Sequence, residues 1–150
     1  MMFLPARAYV PPGTLRTALC YPCSTAEFKD YEAARALGAV GLERLVPQLD
    51  STDRWDHRLT DEEKQSLALA RVLLQRPQWL VLNGVLDAID EGSRRRLAAI
   101  LQTEFPGVGL INIAGASPRE GFFTRTLRLV TDVRGPSFSP TERGATVTQE

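Results

Sequence analysis

Apolar positions along the chain fall into helical stripes and a few uninterrupted runs, separated by Pro, Gly and polar breaks. The opening run, Met1 to Leu4, predicts a strand that Pro5 ends. After Pro11-Pro12-Gly13, the spacing predicts a short helix from Thr14 to Cys20, stopped by Tyr21-Pro22. Phe28, Tyr31, Ala34 and Leu37 recur at helical spacing and predict a helix over Ser24 to Leu37, with Gly38 as its stop. A shorter helical piece, Leu42 to Val46, ends before Pro47; residues 48–58 read as a loop anchored by Trp55. Thr60-Asp-Glu-Glu63 is a capping box, in which the Thr60 hydroxyl and the Glu63 carboxylate each accept from the other's amide. The helix it opens is apolar around most of its circumference from Leu67 to Leu74, which predicts deep burial. Trp79 to Leu82 reads as a strand covered on both faces. A helix over 91–104 carries Leu97, Ile100 and Leu101 on one stripe, and strands follow at Val108 to Ile113 and Thr126 to Thr131. From Gly135 the chain is rich in Pro, Ser, Thr and Gly, the composition of a disordered tail. Strands alternating with helices make an α/β pattern, with a domain over 1–134 and a tail over 135–150.

Composition narrows the function more than the fold. Eighteen basic and eighteen acidic residues cancel, which argues against a nucleic-acid-binding chain. No apolar run approaches the roughly 20 residues of a membrane-spanning helix, and the start lacks the basic residues of a signal sequence. A chain of this kind is expected to be soluble and intracellular. The basic residues are sixteen Arg and only two Lys, Lys29 and Lys64. Neither follows a Gly, so no phosphate-binding G-x-x-x-x-G-K-[ST] loop occurs in the chain. With His57 as the lone histidine, no multi-histidine metal site is expected, and no metal ligand set is assigned.

Four segments in order resemble the motifs of one family. Phe3-Leu-Pro-Ala-Arg-Ala-Tyr-Val-Pro-Pro-Gly-Thr-Leu-Arg16, followed by Tyr21-Pro22, resembles the glutamine-loop region of ABC transporter ATP-binding domains, nearest to the pattern F-L-P-Q-R-P-Y-x-P-x-G-T-L-R of the SbmA/BacA-like and peroxisomal fatty-acyl transporters. Leu59-Thr-Asp-Glu-Glu-Lys-Gln-Ser-Leu-Ala-Leu-Ala-Arg71 is similar to the signature L-S-G-G-E-Q-Q-R-L-A-F-A-R. Arg76 to Asp90 is similar to the Walker B strand and D-loop, and Leu110-Ile-Asn-Ile-Ala-Gly115 falls where the family has the strand leading to its switch histidine. The resemblance implies a partial P-loop NTPase fold: a helical subdomain plus a truncated, mainly parallel sheet, without the Walker A half.

The departures fall on residues that carry chemistry. Family members bind ATP and Mg and hydrolyse ATP to drive transport, using a metal ligand, a water-activating carboxylate and a phosphate sensor. At the matching positions stand Ala6 for the glutamine, Asn83 for the Walker B aspartate, Gly84 for the catalytic glutamate and Gly115 for the switch histidine. In the signature, Leu59, Thr60, Asp61, Glu62 and Glu63 occupy the nucleotide-facing segment, and Asp90 keeps the D-loop aspartate. Asp61 and Glu62 replace glycines; each carboxylate complements the helix dipole by about 0.3–1 kcal/mol, and each repels a phosphate charge by roughly 4 kcal/mol at ~4 Å. These residues predict neither turnover nor bound cofactor. The resemblance implies as partner an ABC transporter membrane domain or an intact ATP-binding subunit, and a cytoplasmic place, peripheral to the inner membrane through that partner. Three functions follow from it: an inactive relative of a transport ATPase, a docking module, or one half of a split ATPase. The loss of an interior strand adds self-association.

Other candidate chemistry has plainer readings. Cys20-Tyr-Pro-Cys23 has the spacing of a redox pair, but Cys20 lies at a helix end rather than at the N-terminus that would activate it. His57 reads as a solvated loop residue, Arg94-Arg-Arg96 as a solvated helix face, and Trp55 and Trp79 as packing anchors.

Overall fold

The computed structural model describes residues 1–88, 91–105, 107–114, 123, 127–132 and 135–140. The chain divides into two compact units, residues 1–115 and 116–150.

The first unit opens with β1 (Met2–Pro5), then β2 (Gly13–Thr14) and α1 (Leu15–Cys20), whose N-cap Thr14 accepts from the Thr17 amide. The helix expected over Ser24 to Leu37 is split. Ser24 caps a single 3-10 turn, Thr25–Glu27, and the chain is extended at Phe28 before α2 (Asp30–Ala39) begins. Two glutamates cause the break: Glu27 accepts from the Ser24 amide (2.8 Å) and Glu32 from the Lys29 amide (2.8 Å), so each turn starts afresh. Gly38 lies inside α2 rather than ending it, and the buried stripe is Ala33, Ala36 and Leu37, with Tyr31 turned to solvent. The next helical piece, a 3-10 helix over Glu43–Gln48, runs through Pro47 instead of stopping before it.

The supposed loop at 48–58 is also ordered. It contains β3 (Thr52–Asp53), antiparallel to β2, and α3 (Trp55–Arg58), with Trp55 only 1% exposed and its indole N–H donating to Ser51 O at 3.1 Å. α4 (Asp61–Gln75) follows, with the expected box in place: Glu63 N to Thr60 Oγ1 is 3.2 Å and Thr60 N to Glu63 Oε2 is 2.9 Å. Leu15, Leu19, Leu37, Leu45, Trp55 and Leu67 form the centre of the helical core. α4 also finishes α1. Arg71 Nε donates to Ala18 O (2.8 Å), and Gln75 Nε2 donates to Cys20 O (2.9 Å) and Tyr21 O (2.8 Å), satisfying carbonyls that a helix end leaves bare.

β4 (Trp79–Asn83), α5 (Val85–Ala88), α6 (Glu91–Glu104) and β5 (Gly109–Ile113) complete the unit. The sheet is parallel, in the order β1-β4-β5. Its inner face is Leu4, Leu80 and Leu82, all buried. β4 is not covered on both faces as its sequence suggests. Phe3, Trp79, Ile111 and Ile113 lie on the opposite face and are 53%, 52%, 45% and 51% exposed. Trp79 therefore anchors nothing in the core. Its ring lies on Gly109, where an added Cβ would come within 2.3 Å of it, so only a glycine admits this stacking. Leu97 and Leu101 of α6 are buried as expected.

The second unit contains the antiparallel pair β6 (Leu127–Asp132) and β7 (Gly135–Pro140). Residues 135–140, read from composition as part of a disordered tail, are thus a strand. Two residues separate it from Asp132, the spacing of a tight hairpin, and Pro136 and Pro140 are tolerated because an edge strand can spare amide donors. Residues 141–150 lie outside the described residues.

One ionic clamp holds the helical layer at its rim. Arg16 donates to both carboxylate oxygens of Asp50 (2.6 and 3.1 Å) and to Asp30 (2.7 Å). The bond from Arg16 holds the Asp50 carboxyl below its usual range; the Thr60 amide does the same for Glu63, and the Arg54 amide for Asp53. A carboxylate whose folded pKa is depressed stabilises the fold above its unfolded value, about 4, and loses that contribution as pH falls through the folded value. The urea midpoint is expected to hold steady from pH 7 to 5 and to drop below pH 4. Arg16→Met should flatten that drop; equal pH slopes for the two proteins would remove Arg16 from the account.

Candidate functional site

The carboxyl ends of parallel strands are where open α/β sheets place ligands, because loops and helix starts converge there. In this sheet those ends are Pro5, Asn83 and Ile113, brought level by the register Pro5↔Asn83↔Ile113. The chain leaves β4 through Gly84, whose amide donates to Ile113 O at 2.9 Å. Gly84 has φ +67°, a left-handed conformation that costs other residues about 1–2 kcal/mol. A Cβ built on Gly84 would sit 3.4 Å from the Cβ of Ala6. Three of the positions singled out in the sequence, Ala6, Asn83 and Gly84, therefore meet at one spot.

The contents of that spot are chemically sparse. Ala6 offers a methyl group, Gly84 no side chain, and Asn83 an exposed neutral amide. A hard divalent cation takes carboxylate and water oxygens, so this donor set does not fit Mg, and nothing here can accept a proton from an attacking water. Among the described residues, no group of three or more His, Cys, Asp or Glu could hold a metal ion.

The signature segment sits at the start of α4. Leu59 is buried at 3% exposure and fixes the entry of the chain into the helix, while Thr60 is spent on the cap. The Asp61 side chain is 99% exposed and pairs with Lys64 at 3.1 Å. Glu62 is exposed, and Glu63 both closes the cap and pairs with Arg44. The amides that a phosphate would need are thus flanked by carboxylates. One turn further, Gln65 donates to the Ala6 carbonyl and ties α4 to the strand-end cluster. Asp90 and Gly115 lie outside the described residues.

Sequence reasoning gave no specific role to two residues here. Gln65 links signature helix and strand end; its place one turn after the cap was the available signal. Asn112, on β5 opposite Leu82, has a buried Oδ1 that meets no hydrogen-bond donor among the described residues, and no local pattern marks it. The alternative candidates stay plain. Burial raises the Cys20 thiol above its ordinary value, the opposite of an activated redox cysteine. His57 is exposed beside Asp56 (3.1 Å), and Arg94 and Arg95 pair with Glu91 (2.9 and 3.3 Å).

No family model matches the sequence. Its relatives are ABC transporter ATP-binding proteins. An uncharacterized ABC transporter ATP-binding protein of Haemophilus influenzae is 33% identical over 116 residues, covering 77% of this chain and 20% of that protein. The lysosomal cobalamin transporter ABCD4 of Homo sapiens is 27% identical over 139 residues, covering 86% of this chain and 23% of the transporter. The chain thus spans about a fifth of the length of the curated relatives it matches. Among solved structures, a bacterial Atm1-family ABC exporter with ATP bound superposes with a TM-score of 0.60 at 19% identity, covering 75% of this chain and 20% of the exporter. The fold is that of a partial P-loop NTPase: a helical layer against a small parallel sheet. Among the described residues, no helix is long and apolar enough to cross a membrane.

Proposed function

We propose that this chain, a homologue of ABC transporter ATP-binding proteins, is a form that neither holds Mg-ATP nor hydrolyses it. The observation that carries this reading is the strand-end cluster of Ala6, Asn83 and Gly84, a methyl, an amide and a bare backbone where metal binding and water activation call for carboxylates. Asp61 and Glu62 support it from the signature side, since their charges oppose a phosphate. Within the family, the run Phe3 to Arg16 speaks for the SbmA/BacA-like and peroxisomal fatty-acyl type.

A second reading rests on what has been kept. Arg71 and Gln75 still cap α1, Gln65 still reaches Ala6, and the Thr60–Glu63 box still opens α4. An intact helical layer beside a depleted site suits a non-catalytic module that docks a transporter membrane domain or an intact ATP-binding subunit, on the cytoplasmic side of the inner membrane. The split-ATPase reading is weaker, because it would require Ala6, Asn83 and Gly84 all to be dispensable.

A fluorescent ATP analogue titrated with and without Mg tests the proposal. No saturable signal is expected at micromolar concentrations. Saturable, Mg-dependent binding that excess ATP displaces would overturn it.

A further inference from the structure

β1 stands at one end of the parallel sheet and pairs with β4 alone. Among the described residues, no backbone hydrogen bond joins Met2–Pro5 to any element but β4. An edge of this kind presents a row of unpaired N–H and C=O groups. Beside it lies a cleft of about 340 Å³, bordered by residues 1–5, by Tyr9 and Tyr21, and by Ala68, Arg71 and Gln75 of α4. Successive residues of a strand point to opposite faces, so a cavity over one face of β1 would be bordered by alternate residues. This one is bordered by both sets, the outward Phe3 and the inward Leu4 alike, which places it along the edge of the strand.

The walls limit what can enter. Gln75 spends its amide on Cys20 O and Tyr21 O, and Arg71 spends Nε on Ala18 O while its Nη2 is sealed from water. On the α4 side the side-chain donors are thus spent or sealed, which leaves the β1 main chain to recognise an incoming group. Apolar surface surrounds that main chain: Phe3 and Met1 are exposed, Tyr9 and Tyr21 are 56% and 42% exposed, and the two rings meet edge to face with centroids 5.4 Å apart. A contiguous exposed patch of this kind marks an interaction surface. The charged side chain of the walls is a cation, Arg71, and no carboxylate borders the cleft, so a basic occupant is disfavoured.

We propose that the β1 edge takes a fourth strand: an extended, uncharged segment of another polypeptide, with apolar residues at alternate positions. Its main chain continues the ladder, and its apolar side chains meet the walls formed by Phe3, Tyr9 and Tyr21. A second copy of this chain fits the edge poorly, because its own β1 stands behind the same rings. Four residues of edge also span only about 13 Å, too little for the roughly 800 Å² per partner that a stable dimer buries. The proposal uses neither Asn83 nor Gly84, so it stands apart from the nucleotide reading.

A capped hexapeptide alternating threonine and valine, titrated into isotope-labelled protein, tests it by amide shifts. Saturable shifts are expected at Met2, Phe3, Leu4 and Tyr9, with slowed hydrogen exchange in β1. The same peptide N-methylated throughout keeps its side chains and loses its strand donors; it should bind at least about tenfold more weakly. Lysine in place of a central valine should weaken binding severalfold. Tyr9→Ala, at an exposed site, should do the same and leave the urea midpoint unchanged. Equal binding of the N-methylated peptide would mean an apolar surface without strand pairing and would overturn the proposal. So would shifts confined to β5, at the opposite end of the sheet, or the absence of any saturable shift. Shifts in β1 that follow protein concentration without peptide would overturn it too, by showing that a second copy holds the edge.

Discussion

Trp55→Ala is expected to remove about 3–5 kcal/mol, the cost of emptying a large buried aromatic site. That is a large part of the roughly 5–15 kcal/mol that holds a typical domain together. Trp55 is among the largest fully buried side chains, and its surroundings cannot easily close over the gap. It starts α3, its indole holds Ser51 O, and the Arg58 guanidinium stacks 4.8 Å from its ring. Losing it therefore loosens the β2–β3 pair, the turn before it, and the entry of Leu59 and Thr60 into α4. Far-UV circular dichroism with urea measures this, and Trp79 remains as the single fluorescent reporter. Trp55→Phe should recover more than half of the loss. A decrease below about 1 kcal/mol for Trp55→Ala, the scale of an ordinary surface change, would show that the core does not depend on this side chain.

Prepared as these 150 residues, the chain is expected to self-associate through the outer face of its sheet. Phe3, Trp79, Ile111 and Ile113 expose one contiguous apolar surface across three strands, and parallel sheets are ordinarily covered on both sides. With eighteen charges of each sign, net repulsion between copies is absent. Light scattering after size exclusion should give a mass that rises with concentration. Phe3→Lys with Ile111→Lys should return it to that of one chain while the urea transition stays cooperative. A wild-type mass of 16.6 kDa at every concentration would mean that the face is not adhesive.

What the sequence made legible was local or repeated. The Thr60–Glu63 box needs only a three-residue spacing, and α4 starts where that spacing says. The four resembling segments fixed the order of strands and helices because their spacing is itself a record of the fold. Faces were harder. α2 buries alanines rather than its aromatic, since Ala33 and Ala36 let helices approach closely while Tyr31 does not fit between them. β4 is apolar from Trp79 to Leu82, and such a run does not say which of its faces lacks a cover. Ser, Pro and Gly at 135–140 looked unable to order alone, but the pairing with β6 supplies what composition cannot express. At the site, the substitutions were readable one by one; that Ala6, Asn83 and Gly84 share one spot was not, because their meeting depends on register between strands whose paired residues, such as Pro5 and Asn83, lie 78 positions apart. Nor could the chain announce that Arg71 is buried with no carboxylate beside it among the described residues.

The left-handed turn at Gly84 also bears on how the strand end could be re-engineered. A glutamate introduced there would inherit φ +67° and a cost of about 1–2 kcal/mol before it could act on anything. The hydrogen bond from the Gly84 amide to Ile113 O holds the turn in that shape, and a Cβ at this position would stand 3.4 Å from that of Ala6. A single substitution at 84 therefore meets two resistances at once, one in its own backbone and one from its neighbour, and a carboxylate placed there needs companion changes in the loop to stand unstrained.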